Sequence, residues 1–469
     1  MSLSISPPNN FALLWVVATG LFMQALDTTI LNTALPAIAR GVDASPLSMH
    51  PAVVSYALVM AMLTPASGWL ADRFGLRTTY LGAIGLFAAG SLLCALSESL
   101  PMLVAARALQ GAGGSMLVPV GRLTLLRTHA AANYIAALAT VTVAGQIGQL
   151  IGPSLGGWLV EQADWRWIFL INLPIALFGG FAAARVLPNG RIENVEAFDL
   201  RGCALLSLAM VFFSLGLDAP VDSDKAAWSL ALIGSSAVAV GLYAAHAVRA
   251  PFPLFRPGLL RVASFRIGLA GNLLARVGSS AVPFLLPLLL QLQLGYAPFA
   301  AGLMLVPAAL AGVVAKSRLG GLVARHGYAR FLGVNTPVLG LSIASFALIT
   351  PDWPIAAQLA QLAVFGAASA MQLSAMNGVT LTGLRPADAS SGNSLFSMVQ
   401  MLAMGLGVTV GGGLVELLSE ELASTTWAFR YAFLAVGSIT LASGVVFRGL
   451  RGSTDVQPSN LPRSGQDPA

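Results

Sequence analysis

Three charged side chains, Asp27, Arg107 and Arg276, lie inside long runs of hydrophobic residues, where charge is expensive. A carboxylate held away from water resists ionising, so Asp27 has the chemistry of a group that takes up and returns a proton near neutral pH. Its other reading is a permanently paired structural carboxylate. A guanidinium beside a carboxylate favours the charged form, so bringing Arg107 to Asp27 or moving it away would switch proton affinity; a plain tie between helices is the alternative. Arg276 either pairs with Asp27 or helps to bind an anion such as a polycarboxylate or its metal chelate. Asn32, Gln110, Asn272, Gln372, Asn377 and Gln400 could line a polar cavity with neutral hydrogen-bonding groups, or bridge helices.

The elements that position these residues are set by composition. Of 469 residues, 56% are hydrophobic and 9% charged, against roughly 25% charged in an ordinary soluble domain. Such a chain has too little charge to face water and belongs in lipid, where backbone groups must be satisfied within helices or a closed barrel. The runs lack the period-2 alternation of barrel strands, so the fold class is an all-α polytopic membrane protein. Apolar runs of about 20 residues, bounded by Pro, Gly and charges, predict fourteen helices near 12–37, 51–71, 78–97, 102–125, 134–160, 166–186, 200–217, 227–247, 266–292, 299–322, 331–350, 354–382, 390–417 and 428–448. At ~1.5 Å per residue, Asp27 then sits about 16 Å below the outer end of helix 1, Arg107 about 9 Å below that of helix 4, and Arg276 about 15 Å in from the inner end of helix 9.

Lys and Arg concentrate on the cytoplasmic side of such proteins. With both termini inside, only Arg40, Arg166, Lys225 and Arg430 fall in outer loops and only Arg107 and Arg276 within spans; the rest of the 25 are inside. This asymmetry predicts cytoplasmic termini in a bacterial inner membrane. An internal repeat sets the division of the chain. Gly68-Trp69-Leu70-Ala71-Asp72-Arg73-Phe74-Gly75-Leu76-Arg77 after helix 2 is echoed by Gly320-Gly321-Leu322-Val323-Ala324-Arg325-His326-Gly327 after helix 10. The expected organisation is therefore a six-helix bundle at 1–187, an inserted helix pair at 188–260, a second six-helix bundle at 261–448 and a disordered cytoplasmic tail at 449–469. Parallel repeats of this kind place a substrate path near the midplane between bundles.

The motifs together resemble the major facilitator superfamily, in particular its fourteen-helix drug:proton antiporter branch. They are Leu26-Asp27-Thr28-Thr29-Ile30-Leu31-Asn32-Thr33-Ala34-Leu35-Pro36 in helix 1, the loop after helix 2 and Arg107-Ala108-Leu109-Gln110-Gly111-Ala112-Gly113-Gly114 in helix 4. Gly148-Gln149-Leu150-Ile151-Gly152-Pro153-Ser154-Leu155-Gly156-Gly157 in helix 5 and Trp165-Arg166-Trp167-Ile168-Phe169-Leu170-Ile171-Asn172 opening helix 6 complete the set. The resemblance implies a proton-coupled exporter of small molecules working by alternating access, of the multidrug type; the alternative, which rests on Arg276, is export of an organic anion such as citrate or its iron chelate. It implies proton handling by Arg107, and a latch at Gly68, Asp72, Arg73, Gly75 and Arg77 that forms in one state only. It also implies control of the outer gate by Gly148, Gly152, Pro153, Gly156 and Gly157.

Physically, Asp72 at a helix C-terminus needs an external partner, from Arg73, Arg77 or a helix N-terminus in the other bundle. Pro153 removes a backbone hydrogen bond and the glycines around it admit close helix approach. Trp158, Trp165 and Trp167 read as interfacial anchors. The second half departs from a cation-binding pattern, because its spans hold Arg276 and no mid-membrane carboxylate, Glu416 lying at an outer end.

Other function classes fit less well. Lys225 and Lys316 lack phosphate-loop spacing, which argues against an ATP-driven pump. His50, His129, His246 and His326 show no nucleophile or metal spacing, so neither an enzyme nor a metal site is expected, and no cofactor. A passive channel or sensor remains as a rival. Cys94 and Cys203 read as small core residues. With no basic residue before Arg40, the first helix is expected to be retained rather than cleaved. The basic residues are spread over loops, which argues against nucleic acid; the expected partners are a small-molecule substrate, protons and the lipid bilayer, with a monomer sufficient for function.

Overall fold

The computed structural model describes residues 10–128, 131–192, 195–218 and 223–452. These residues form helices and no strand: α1 (Asn10–Gly41), α2 (His50–Leu63), α3 (Ala66–Phe74), α4 (Leu76–Ala95), α5 (Leu100–Thr128), α6 (Ala131–Gln162), α7 (Trp167–Leu170) and α8 (Asn172–Val186). There follow α9 (Leu200–Asp218), α10 (Ser223–Arg249), α11 (Ala263–Leu288), α12 (Pro298–Met304), α13 (Val306–Ser345), α14 (Ile355–Leu381), α15 (Pro386–Glu421) and α16 (Thr425–Arg448). Ten helical stretches among the described residues are long and apolar enough to cross a membrane, and α2 with α3 makes an eleventh when taken as one span. The expected fourteen crossings are consistent with these elements. The 29 residues of α5 and 32 of α6 cover two further predicted spans, and α13, within one of the ten stretches, joins two predicted spans across a break at Gly327. The tail expected to be disordered lies, from residue 453 on, outside the described residues.

The breaks have local causes. Helix 2, expected near 51–71, is bent by 58° between Leu63 and Ala66, where Pro65 offers no backbone N–H to continue the ladder. The repeat seen in the sequence returns as backbone geometry. Gly75 ends α3 at φ 92°, ψ 150°, and Gly327 interrupts α13 at φ 73°, ψ 161°, a region that L side chains avoid and glycine enters freely.

Lipid gives helices no hydrophobic reason to associate, so close approach through small residues must hold them together. A Cβ on Gly90 would stand 2.5 Å from Cα of Gln110, and one on Gly113 2.4 Å from the backbone N of Phe87, which fixes α4 against α5. Helices α1 to α8 pack mainly on one another, as do α11 to α16, and the two groups meet along α2 with α15 and α6 with α12. Helix α9 rests on α2 and α15, with α10 behind it. Leu177, Phe178, Leu230 and Val248 stand fully out on the periphery, where lipid rather than water is their natural solvent.

Candidate proton and substrate sites

The two ends of the bundles differ. Near the ends of α1, α5, α6 and α8 on the terminal face, where α1 begins and α16 ends, Leu13, Val17, Leu125 and Val141 form a core confined to the first bundle. On the opposite face one continuous core draws on both bundles, including Leu35 and Ile38 of α1, Phe284 and Leu288 of α11, Phe365 of α14 and Phe433 of α16. There the helix-5 motif makes the contact. A Cβ on Gly157 would lie 2.2 Å from the carbonyl O of Pro298, and one on Gly302 2.3 Å from that of Pro153, so α6 and α12 touch backbone to backbone. Gly148, Gly152 and Gly156 instead receive α1, at Phe22 O, Thr29 and Ile30 O, and Thr33 Oγ1 donates 2.9 Å to Pro153 O. Phe299 N donates to Glu161 at 2.7 Å, and Gln291 Nε2, in the π-helical turn Leu289–Gln293 that continues α11, donates to Thr33 O of α1 at 2.9 Å.

Asp27 and Arg107 meet inside the first bundle. Arg107 Nη1 donates to Asp27 Oδ2 at 2.8 Å, and each side chain is 1% exposed. The other carboxylate oxygen accepts from Gln110 Nε2 at 2.6 Å and Asn172 Nδ2 at 3.2 Å. Arg107 also donates to Gln110 Oε1 at 2.6 Å and to Ala52 O at 3.3 Å, and its guanidinium lies 4.2 Å from the ring centroid of Tyr56. Ser91 Oγ accepts from both Gln110 and Asn172. Five helices, α1, α2, α4, α5 and α8, thus supply one polar cluster around the Asp27 carboxylate, which Arg107 balances and which is out of contact with solvent. Gln110, expected to line the substrate cavity, is 0% exposed and serves this cluster. Its position three residues after Arg107 puts both on one face of α5, a signal present in the sequence. Asn172 had been visible only as part of a motif, and Ser91 carried no signal.

Arg276 is elsewhere. Gln291 and Thr33 mark a common depth on α11 and α1; counted back from them at ~1.5 Å per residue, Asp27 lies about 9 Å and Arg276 about 22 Å toward the terminal face. That offset of about 13 Å excludes a direct pair in this arrangement. On α11, Gly268 faces Thr380 of α14, Gly271 and Gly278 face α16 at Phe447 and Thr440, and Ala281 faces Gly411 of α15. At about 100° per residue, Arg276 and Ser280 point into the arc between α14 and α15. No carboxylate stands within ion-pair distance of Arg276 among the described residues, and its buried Nε has no hydrogen-bond partner. One turn away, Asn272 is 0% exposed and both atoms of its amide lack partners. Asn377 and Gln400 join α14 to α15 through a 2.7 Å hydrogen bond. Gln372, expected at the cavity, instead bridges helices, accepting from Asn335 and donating to Thr336 at 2.8 Å each, and is 1% exposed. Asn32 is buried with Oδ1 unpartnered.

In the loop motif, Asp72 pairs with Arg127 at the end of α5, within its own bundle, and not with Arg73, Arg77 or the second bundle as expected. Arg77 donates to Leu187 O at 2.6 Å, so the motif laces α3 and α4 to the chain leaving α8. A Cβ on Gly68 would meet open space, and Arg73 is exposed. Trp158 and Trp167 are half exposed, as interfacial anchors should be, whereas Trp165 is buried against Gly41.

Comparison with known proteins agrees with the fold. The family description of the Major Facilitator Superfamily matches residues 17–408. Proteins named for multidrug resistance, MdtD, from Salmonella paratyphi A and Salmonella typhimurium are each 43% identical over 450 residues, covering 94% of this chain and 95% of theirs. Among solved structures, a bacterial homologue of the human lysosomal transporter Spinster, inward-facing and unoccupied, aligns at a TM-score of 0.67 with 14% identity over 96% of this chain and 99% of its own. A D-xylose-proton symporter aligns at 0.68 with 14% identity over 96% and 98%.

Proposed function

This chain belongs to the major facilitator superfamily and is a multi-pass membrane transporter of small molecules, not an enzyme, and we propose that it is a proton-coupled exporter of the multidrug type in a bacterial inner membrane. The observation that carries the reading is the sealed Asp27 cluster. A proton added to Asp27 removes the negative charge that Arg107, Gln110 and Asn172 all donate to. The charge-assisted ties from α1 to α5 and α8 then weaken, since hydrogen bonds to ionised groups are roughly twice as strong as neutral ones. Helix α1 also carries the contacts of the opposite face, through Thr33 with α6 and α11. Proton binding at one point of α1 is thereby linked to the contact between bundles at another. The lysine and arginine asymmetry supports cytoplasmic termini, which makes the closed face the outer one.

In proteoliposomes, an imposed proton gradient should drive uphill accumulation of lipophilic cations, and a protonophore should abolish it. Equilibration indifferent to the gradient would favour a passive channel. A second reading, export of an organic anion such as a polycarboxylate or its iron complex, is favoured by Arg276, a cation without a carboxylate partner among the described residues. Arg276→Gln should then lower polycarboxylate accumulation and spare lipophilic cations; equal transport of both would remove this reading.

A further inference from the structure

At the outer end of the α2–α15 seam, three titratable side chains from three separate parts of the fold converge. His50, the first residue of α2, is 5% exposed. Its Nε2 lies 2.5 Å from Asp218 Oδ1 at the end of α9, and its Nδ1 lies 3.7 Å from Glu416 Oε2 of α15 and 3.4 Å from Leu47 O. Each carboxylate is about one-third exposed, so the cluster borders solvent where the Asp27 cluster does not. The seam is tight at this point: a Cβ on Gly412 of α15 would stand 2.8 Å from Cβ of His50.

From this geometry we propose that His50 is a second proton-binding site, and that its imidazolium clasps the first bundle, the second bundle and the inserted helix α9 together at the outer gate. A neutral imidazole has one N–H to donate, so it can serve Asp218 while offering Glu416 nothing. The imidazolium donates from both nitrogens and is attracted by both carboxylates. Glu420, one turn beyond Glu416, adds a further negative charge on the α15 side, and no basic side chain faces the cluster among the described residues. Since α2 and α15 belong to different bundles, any outward opening must part His50 from Glu416. Linkage then fixes the sign: if the closed seam holds the proton better, acid at the outer face favours closure.

The clasp gives the inserted pair a function beyond linking. Helix α9 is seated at both ends, by Asp218 on His50 and by Asp199, which N-caps it through Gly202 and accepts from His246 of α10 at 2.7 Å. Met210 of α9 packs with Ala61 of α2 and Met398 of α15 between these ends. A helix held on both sides of the seam can act as the fixed element against which His50 closes.

The inference rests on the alternating-access reading above, and its test separates the two. Spin labels on Ser45→Cys and Leu422→Cys, exposed positions flanking the seam, would report the outer distance in the purified protein, with Cys94 and Cys203 replaced. The background carries Asp27→Asn, so that the Asp27 cluster no longer contributes proton dependence. The short-distance population should grow as pH falls from about 8 to 5, the interval in which an imidazole changes charge. His50→Gln should abolish that growth. Asp218→Asn with Glu416→Gln, which leaves α2 untouched, should do the same. Growth that persists in either variant overturns the clasp and leaves alternating access standing. A distance that never changes, with pH or with added substrate, in this background and with Asp27 restored alike, overturns both.

Discussion

The Asp27–Arg107 pair makes the sharpest energetic prediction. Both side chains are 1% exposed and 2.8 Å apart, so removing one partner leaves the other charged and dry. Breaking such a pair costs about 3–5 kcal/mol because the survivor is uncompensated. Arg107→Gln leaves Asp27 with two neutral amide donors, and Asp27→Asn leaves Arg107 with Gln110, Ala52 O and the Tyr56 ring. The double variant strands neither charge, so it should cost about as much as one single variant, giving a coupling of about 3–5 kcal/mol. The exposed pair Asp164–Arg166, at 3.4 Å with side chains 54% and 38% exposed, supplies the control, and its coupling should stay below about 1 kcal/mol. Unfolding by SDS titration in mixed micelles measures both cycles. Single costs at Asp27 and Arg107 that add within about 0.5 kcal/mol would refute a sealed, mutually dependent pair.

Other perturbations have defined outcomes. Gly157→Ala places a methyl against Pro298 O, so disulfide cross-linking between cysteines placed at the adjoining ends of α6 and α12 should fall several-fold relative to the parent; undiminished cross-linking would mean that the contact is dispensable. Burial opposes ionisation of Asp199, but the N–H groups of Gly202 and Leu254 and the side chain of His246 outweigh it and hold its carboxyl below the usual range. Its contribution is therefore present above the ordinary value of about 4 and lost as pH falls through the lowered one. Asp199→Asn should lower the unfolding midpoint at pH 7 by the equivalent of about 1–3 kcal/mol, with the difference from the parent vanishing in strong acid; a gap that is constant with pH would count against the clamp. Reporters after residues 189 and 255 should read cytoplasmic and one near residue 225 periplasmic, and a cytoplasmic result at 225 would reduce the expected count to twelve crossings.

The helical architecture was readable because lipid leaves few alternatives: long apolar runs had to be helices, and the recurrence of Gly75 at Gly327 marked a repeated turn that the backbone reproduces. The 58° bend in the second span was less accessible, since a proline removes one hydrogen bond without stating how far the helix will turn. At the site, Asp27 and Arg107 were legible as costly buried charges. Their choice of each other over Arg276 was not, because depth along separate helices depends on how the helices slide past one another. Gln372 and Arg276 were expected in one cavity, yet the first is spent on Asn335 and Thr336 while Nε of the second has no hydrogen-bond partner among the described residues. Composition cannot distinguish an amide that bridges helices from one that waits for a ligand. His50 read as a scattered loop histidine for the same reason, its carboxylates arriving from positions 218 and 416.

The central claim, that transport is driven by protons through Asp27, is tested most directly by Asp27→Asn in energised inverted membrane vesicles. Asparagine keeps the shape and hydrogen-bonding size of the side chain but can neither carry the negative charge nor take up a proton. Gradient-driven accumulation of substrate should be abolished while substrate still binds to the purified variant. Full retention of uphill transport by Asp27→Asn would contradict the account.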